Sequence, residues 1–294
     1  MKKTLKAIAA IMLMTEVIFV AGCSSEDEPN QGGGHKIPEG ALKGVFTSNR
    51  DGGQIYFSKG NLWYYNQVEE PYWKFAEHQW DCNTSDAICY FAWGTSGYDH
   101  GAKLYRPDSY SQSSDDYYAY GDENAHLGDY TGKADWGYNA IVNGGNKEGL
   151  WRSPHALEFS YIMYQRKTES DVRFVRAKVN NIDVCVFFPD DWDASKYTIN
   201  NPNQAEGSSD DNVIPLDDWT NILEPAGCVL LPAAGLQSVT NGEIYHTGRK
   251  AGYWCSNIAA NGNPSSFYMT FYNMGSNPQV RFDHYSVRLV RDVK

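Results

Sequence analysis

This chain is short of the residue groupings that mark dedicated chemistry. It contains no Cys-x-x-Cys pair and no His/Cys grouping at zinc spacing, so the ligand set of a structural zinc is missing. It has no Gly-x-Ser-x-Gly elbow ("GTSGY" has the wrong spacing), no His-Glu-x-x-His and no phosphate loop. Those gaps remove the sequence marks of an α/β-hydrolase, a zinc protease and a nucleotide-binding domain. Positive charge is also scarce: 25 Lys and Arg stand against 36 Asp and Glu, a net of -11, which argues against nucleic acid or an anionic lipid surface as partner. No uninterrupted apolar run approaches the roughly 20 residues that cross a bilayer. No metal and no cofactor is expected.

The N-terminus, by contrast, reads as a leader. Lys2 and Lys3 precede the apolar runs Ala7–Met14 and Val17–Val20, which Thr15 and Glu16 separate; charge followed by apolar residues is the order of a secretory signal. Val20-Ala21-Gly22-Cys23 has the form of a bacterial lipobox, in which small residues before the cysteine admit a lipoprotein signal peptidase and leave Cys23 as the lipidated N-terminus. The expected division is a signal peptide over 1–22, a flexible acidic and Gly-rich tether over 23–41 and a single domain over 42–294. Several acyl chains, palmitate among them, hold a protein on a membrane where one chain binds reversibly. Glu26-Asp27-Glu28 is similar to the acidic export signal of Bacteroidetes lipoproteins carried to the outer face of the outer membrane. The expectation is a lipid-anchored outer-membrane monomer facing the cell exterior; the alternative reading of the acidic run is a solvated tether.

Five cysteines remain besides Cys23, an odd number that cannot all pair within one chain. Cys82 and Cys89, close together in a polar loop, are placed to form a local disulfide in an oxidising envelope. Cys185 and Cys228 sit in the apolar runs "VCVFF" and "CVLL", the setting of small buried thiols.

Beyond Leu42, clusters of Gly, Asn, Asp and Ser separate short apolar-aromatic runs: "GVFTS", "QIYFS", "NLWYYN", "YWKFA", "VRFVRAKV", "DVCVFF", "GCVLL", "FYMTFY" and "SVRLV". These predict short strands. Helical spacing is clearest at Ala156, Phe159, Ile162 and Met163, behind Pro154, and a second short helix is expected over Leu216–Leu223 behind Pro215. The Gly/Tyr/Asp-rich region between Cys82 and Leu150 has neither period and must be held by aromatic packing and loops. Few helices beside many short strands give an α+β fold.

"GLWRSPHALEFSYIM" resembles the Trp-Arg-Leu-Pro-Thr-x-x-Glu-Trp turn and helix of formylglycine-generating-enzyme-like and related C-type-lectin-like domains, and "GYWCSN", "SFYMTFY" and "YSVRLVRD" follow in that family's order. The likeness rests on Trp151, Arg152, Pro154, Glu158, Tyr253, Trp254, Ser256, Arg281, Val287 and Arg288. Upstream, "FSKGNLWY", "AWGTSGY", "ADWGYNAIVNGG" and "LPAAG" are similar to a group of Bacteroides-type surface lipoproteins. The resemblance implies a C-type-lectin-like α+β domain of many short twisted strands, one or two short helices and long loops. It does not imply formylglycine chemistry, because Cys255 stands alone where that reaction needs a cysteine pair. His155 replaces the family's capping Thr, and an imidazole is expected to cap poorly.

The acidic clusters Asp190-Asp191-Trp192-Asp193 and Asp217-Asp218 offer carboxylates of the kind a glycosidase uses, which must face one another; their positions beside Pro189 and Pro215 point instead to turns and helix starts. Gly252–Tyr285 holds 5 Asn, 4 Tyr, 4 Ser and 3 Gly, the composition of an adaptable recognition surface. Strand alternation puts Phe267, Met269 and Phe271 in the core and turns Tyr268, Thr270 and Tyr272 outward. The expected ligand-binding residues are Asn257, Tyr268, Tyr272, Asn273, Asp283, His284 and Tyr285, several of them types found at ligand-facing positions in retroelement-diversified surface lipoproteins. The reading is a non-enzymatic protein recognising a glycan or protein ligand. The alternatives are a glycan-active enzyme and a structural component of a surface assembly.

Overall fold

The computed structural model describes residues 36–101, 103–119, 126–129, 131–270 and 272–294. The expected signal peptide, Cys23 and the acidic run behind it lie outside the described residues, as does Phe271. A compact unit spans His35–Lys294, and Pro38, Ala41 and Leu42 already take part in it: Ala41 N–H donates to the Pro38 carbonyl and Leu42 N–H to that of Phe57.

In chain order the strands are β1 (Phe46–Thr47), β2 (Gln54–Phe57), β3 (Leu62–Tyr65), β4 (Tyr72–Phe75), β5 (Phe174–Val179), β6 (Ile182–Phe187), β7 (Val213–Ile214), β8 (Val229–Pro232), β9 (Leu236–Gln237), β10 (Ile244–Tyr245), β11 (Ala251–Ile258), β12 (Pro264–Met269), β13 (Met274–Pro278) and β14 (Val290–Asp292). Helix α1 covers Ala156–Tyr164; α2, Leu216–Asp218, continues as a π turn over Trp219–Leu223. Short strands in small sheets beside two helices make the fold α+β.

The largest sheet runs β7-β5-β6-β8. In β6 and β8 the runs Val184–Phe187 and Val229–Leu231 are continuously apolar because both faces are covered there. Phe174, Cys185, Phe187, Val229 and Leu231 face one core with α1 and β12; Val175, Ala177, Val184, Val186 and Leu230 face a second with Trp192 and Trp219. Asn180 and Asn181 join β5 to β6, both with positive φ, the two-residue type I′ turn whose twist matches that of the strands. In the first core Phe159 of α1 stacks on Phe267 of β12, with centroids 4.8 Å apart. A three-stranded sheet, β1-β2-β14, joins the start of the folded unit to its end.

The region between Cys82 and Leu150 is held by aromatic packing, as its lack of period predicts: its described residues hold two single 3-10 turns, Ser114–Asp116 and Trp136–Tyr138, and no strand longer than a bridge. Its tryptophans act as struts. Trp93 Nε1 donates to the Cys255 carbonyl (2.8 Å) and Trp136 Nε1 to that of Thr95 (3.2 Å). Trp151 Nε1 donates to Gly144 (2.8 Å) and, from β11, Trp254 Nε1 to Phe91 (2.6 Å). Asp135, buried, accepts from Gly137 N–H, Ser153 N–H and Ser153 Oγ. Gly137 must be glycine here, since a Cβ would lie 2.4 Å from the Trp151 carbonyl carbon.

Four expectations change. His155 does cap α1: its Nδ1 accepts the Leu157 N–H at 3.0 Å while Glu158 accepts the His155 N–H at 2.7 Å, so a neutral imidazole with a free Nδ1 lone pair replaces the usual hydroxyl. Cys82 and Cys89 are free and buried rather than paired. Each sulfur points at a carbonyl of its own loop, Cys82 at Trp80 and Cys89 at Thr84 and Ala87, and burial pushes both thiols up to about 12. "SVRLV" is strand only from Val290, because the segment crosses between sheets and changes partner at each step: His284 bridges Gln237, Tyr285 bridges Phe91 and Ser286 bridges Tyr253. Finally, β12 stops at Met269, so alternation does not carry on to Tyr272.

Candidate functional site

The seven residues expected to form one binding face separate. Phe267 and Met269 are fully buried and Tyr268 is half-buried, as alternation requires. Tyr272, however, owes its exposure to a turn: Thr270 Oγ1 accepts the Asn273 N–H and the Thr270 N–H donates to the Asn273 carbonyl, which closes the β12–β13 hairpin and leaves Tyr272 70% exposed at its tip. Half-buried Asn273 stands beside it.

Asn257 is spent on structure, its Oδ1 accepting the Ala156 N–H at the start of α1 and its Nδ2 donating to Ser265 Oγ. The expectation of an outward Asp283-His284-Tyr285 is corrected. Tyr285 is buried against Trp254, ring centroids 4.9 Å apart, and Gly252 must lack a side chain because a Cβ there would meet the Tyr285 ring at 2.7 Å. Half-buried Asp283 accepts the Tyr285 hydroxyl at 3.3 Å. His284 is 1% exposed, with Nδ1 at 3.0 Å from the Phe282 carbonyl and Nε2 at 2.9 Å from that of Ser109. The cause is common to all three: the segment crosses the interior instead of lying on one sheet surface.

Tyr272 keeps different company, lining a cleft of about 700 Å³ with Lys178, Asp183, Asp210, His246, Arg249 and Lys250. The face of the β5–β6 hairpin that holds Phe174 in the core turns polar towards the hairpin end, through Arg176 opposite Cys185 to Lys178 opposite Asp183. Lys178 Nζ binds Asp210 and stands 4.0 Å from buried Asp183. The hydrogen bond to Asp210 raises the Lys178 pKa and lowers that of Asp210, while burial raises that of Asp183. In the same lining, His246 and Gly248 take positive φ in a tight turn that carries Arg249 and Lys250, with the N–H groups of both donating to the His246 carbonyl. The exposed His246, Arg249 and Lys250 make no ion pair with a described carboxylate. That part of the lining is thus cationic on a protein that is acidic overall.

The groups that suggest catalysis are committed elsewhere. Ser256 Oγ lies 2.8 Å from His126 Nε2, the spacing of a nucleophile and its base, but His126 Nδ1 already accepts the Gly128 N–H. A neutral ring must then carry its proton on Nε2, which donates to the serine and cannot accept from it. Asp190 pairs with buried Arg166 at 2.8 Å and accepts from Thr47. Asp193 closes a turn on Ser195, and Asp218 accepts the Tyr197 hydroxyl. Turn formation and support therefore account for these acids. No helix among the described residues is long and apolar enough to cross a membrane, and no group of three or more metal-ligating side chains occurs among them.

No family model matches this chain, and no curated protein or solved structure does either. The cleft rests on its own geometry. Sequence reading missed every charged member of its lining. One signal was present: "HTGRK", His246–Lys250, sets three basic side chains around a glycine turn in a chain dominated by acids.

Proposed function

We propose that this protein is a non-enzymatic lipoprotein, held on the outer face of the outer membrane through Cys23, that recognises a glycan or protein ligand bearing an acidic group. The observation that carries the reading is Tyr272, exposed at a hairpin tip and lining a cleft together with Arg249, Lys250 and His246. A tyrosine at such a place offers rigid contact area at small entropic cost, and exposed cations attract an anion in a way that salt weakens. The C-type-lectin-like fold belongs to the same proposal. It is supported by the meeting of the segments that carry that resemblance: Arg152 pairs with both Glu158 and Asp292, and Ser256 N–H donates to the Pro154 carbonyl.

The test is an array of uronate-bearing, sulfated and neutral glycans, together with acidic peptides, probed with the purified full-length chain and followed by titration at two salt concentrations. Acidic ligands should bind, more weakly at high salt, and Tyr272→Ala and the Arg249→Ala/Lys250→Ala pair should each lose about tenfold or more in affinity. Acidic ligands that bind both variants as well as the wild type would refute this use of the cleft. The anchor has its own test: Cys23→Ala should move the protein from the membrane fraction to the soluble one, and its retention through a carbonate wash would overturn the lipoprotein assignment.

A further inference from the structure

A second groove, of about 360 Å³, shares no lining residue with the Tyr272 cleft. Its lining is of a different kind. Asn66, Gln67, Asn83 and Gln237 supply neutral amides, and Tyr110, 43% exposed, supplies an aromatic face. The charged member, Asp108, is held by Arg106 through two hydrogen bonds of 2.9 Å.

Tyr110 is fixed from two directions. One face of its ring stacks on the buried imidazole of His284, with centroids 4.8 Å apart and planes 13° from parallel. His284 is buried with Nδ1 and Nε2 facing the Phe282 and Ser109 carbonyls, to one of which its single N–H donates. The Tyr110 hydroxyl donates to Gln237 Oε1 at 3.2 Å, and Gln237 is held in turn by its Nε2 on the Gly242 carbonyl at 2.9 Å. The conformational cost of immobilising the ring is therefore met before any ligand arrives, which favours binding. Beside this platform the Asn66 and Gln67 side chains make no hydrogen bond among the described residues, and Asn83 commits one donor, to the Tyr90 hydroxyl.

We infer that this groove is a binding site for a neutral pyranose sugar. The C–H face of a pyranose is weakly electropositive and packs against the negative face of an aromatic ring. Amide groups both donate to and accept from adjacent hydroxyls. A lining in which the single charge is already neutralised offers a charged ligand no ion pair, and the volume falls within the roughly 300–1,000 Å³ range of small-molecule sites. His284, expected from sequence to touch ligand, acts here as the support beneath the residue that does.

The test uses the full-length chain, titrated with methyl β-glucoside, methyl β-N-acetylglucosaminide and the neutral oligosaccharides that score on an array, with glucuronate as the charged control. Saturation-transfer NMR should show the ring C–H protons of the neutral sugars in contact with protein. Tyr110→Ala should lower their affinity by about tenfold or more, whereas Tyr110→Phe, which keeps the ring, should stay within about threefold. The Asn66→Ala/Gln67→Ala pair, outside the core, should weaken binding with an unchanged melting temperature. Tyr272→Ala should leave neutral-sugar binding intact, so failure here and failure of the acidic-ligand cleft are read separately. The assignment is overturned if no neutral saccharide binds the wild-type chain at about 10 mM, or if those that bind do so equally to Tyr110→Ala and to the amide pair.

Discussion

Trp192 and Trp219 lie against the four-stranded sheet, and their indole N–H groups have no hydrogen-bond partner among the described residues. Trp93, Trp136, Trp151 and Trp254 lie in the layer built around loops, and each donates to a backbone carbonyl. The difference follows from where backbone groups find partners. In the sheet the ladder satisfies them and an indole is needed only for volume. Loops have no ladder, yet their buried carbonyls still require donors, so the indole does two jobs there. An aperiodic region can be well packed when its aromatic residues also complete its hydrogen bonding.

Four measurements sharpen or break this contrast. The largest effect should come from the sheet-side core, where volume dominates: Phe267→Ala, which removes the ring stacked on Phe159, should cost about 3–5 kcal/mol in urea unfolding. A loss below about 1 kcal/mol would mean that this core is not tightly packed. Next, the two kinds of tryptophan should respond differently to the same change. Trp93→Phe leaves the Cys255 carbonyl without its donor and should cost about 2 kcal/mol, whereas Trp192→Phe relieves a buried unpaired N–H and should cost about 1 kcal/mol or less. Equal losses would remove the distinction between strut and filler.

Asp135→Asn comes third. It turns an amide N–H₂ towards the Ser153 N–H and should cost about 1–3 kcal/mol at acid pH. Burial holds the Asp135 pKa above its ordinary value, so the native state keeps this proton to higher pH than the unfolded chain does. The stability it contributes is present at low pH and is lost as pH rises through the folded pKa. The gap between wild type and mutant should therefore narrow from pH 4 towards pH 7; a gap that widens would contradict the assigned shift. The smallest effect is expected outside both layers: Tyr272→Ala, at a hairpin tip, should change stability by about 0.5 kcal/mol or less while altering ligand binding. A thermal melt lowered by several degrees would place Tyr272 in the core.

Local chemistry was enough for much of the framework. Apolar spacing located α1, β-branched and aromatic runs located most strands, and Asn180-Asn181 sat ready for a type I′ turn because those residues tolerate positive φ. The lack of period between Cys82 and Leu150 correctly implied loops packed by aromatic side chains. Alternation placed Phe267 and Met269 in the core, since a strand with one covered face has no other choice. What tertiary structure alone decided was the destination of the polar residues. His284 and Tyr285 went inside because their segment crosses between sheets, Asn257 went to the start of α1, and Cys82 and Cys89 each turned to a nearby carbonyl. Lys178, Asp210 and Arg249 came together from three separate stretches of chain. A polar side chain serves equally well as cap, strut or ligand contact, and only the partners that folding brings within about 3 Å select among those uses.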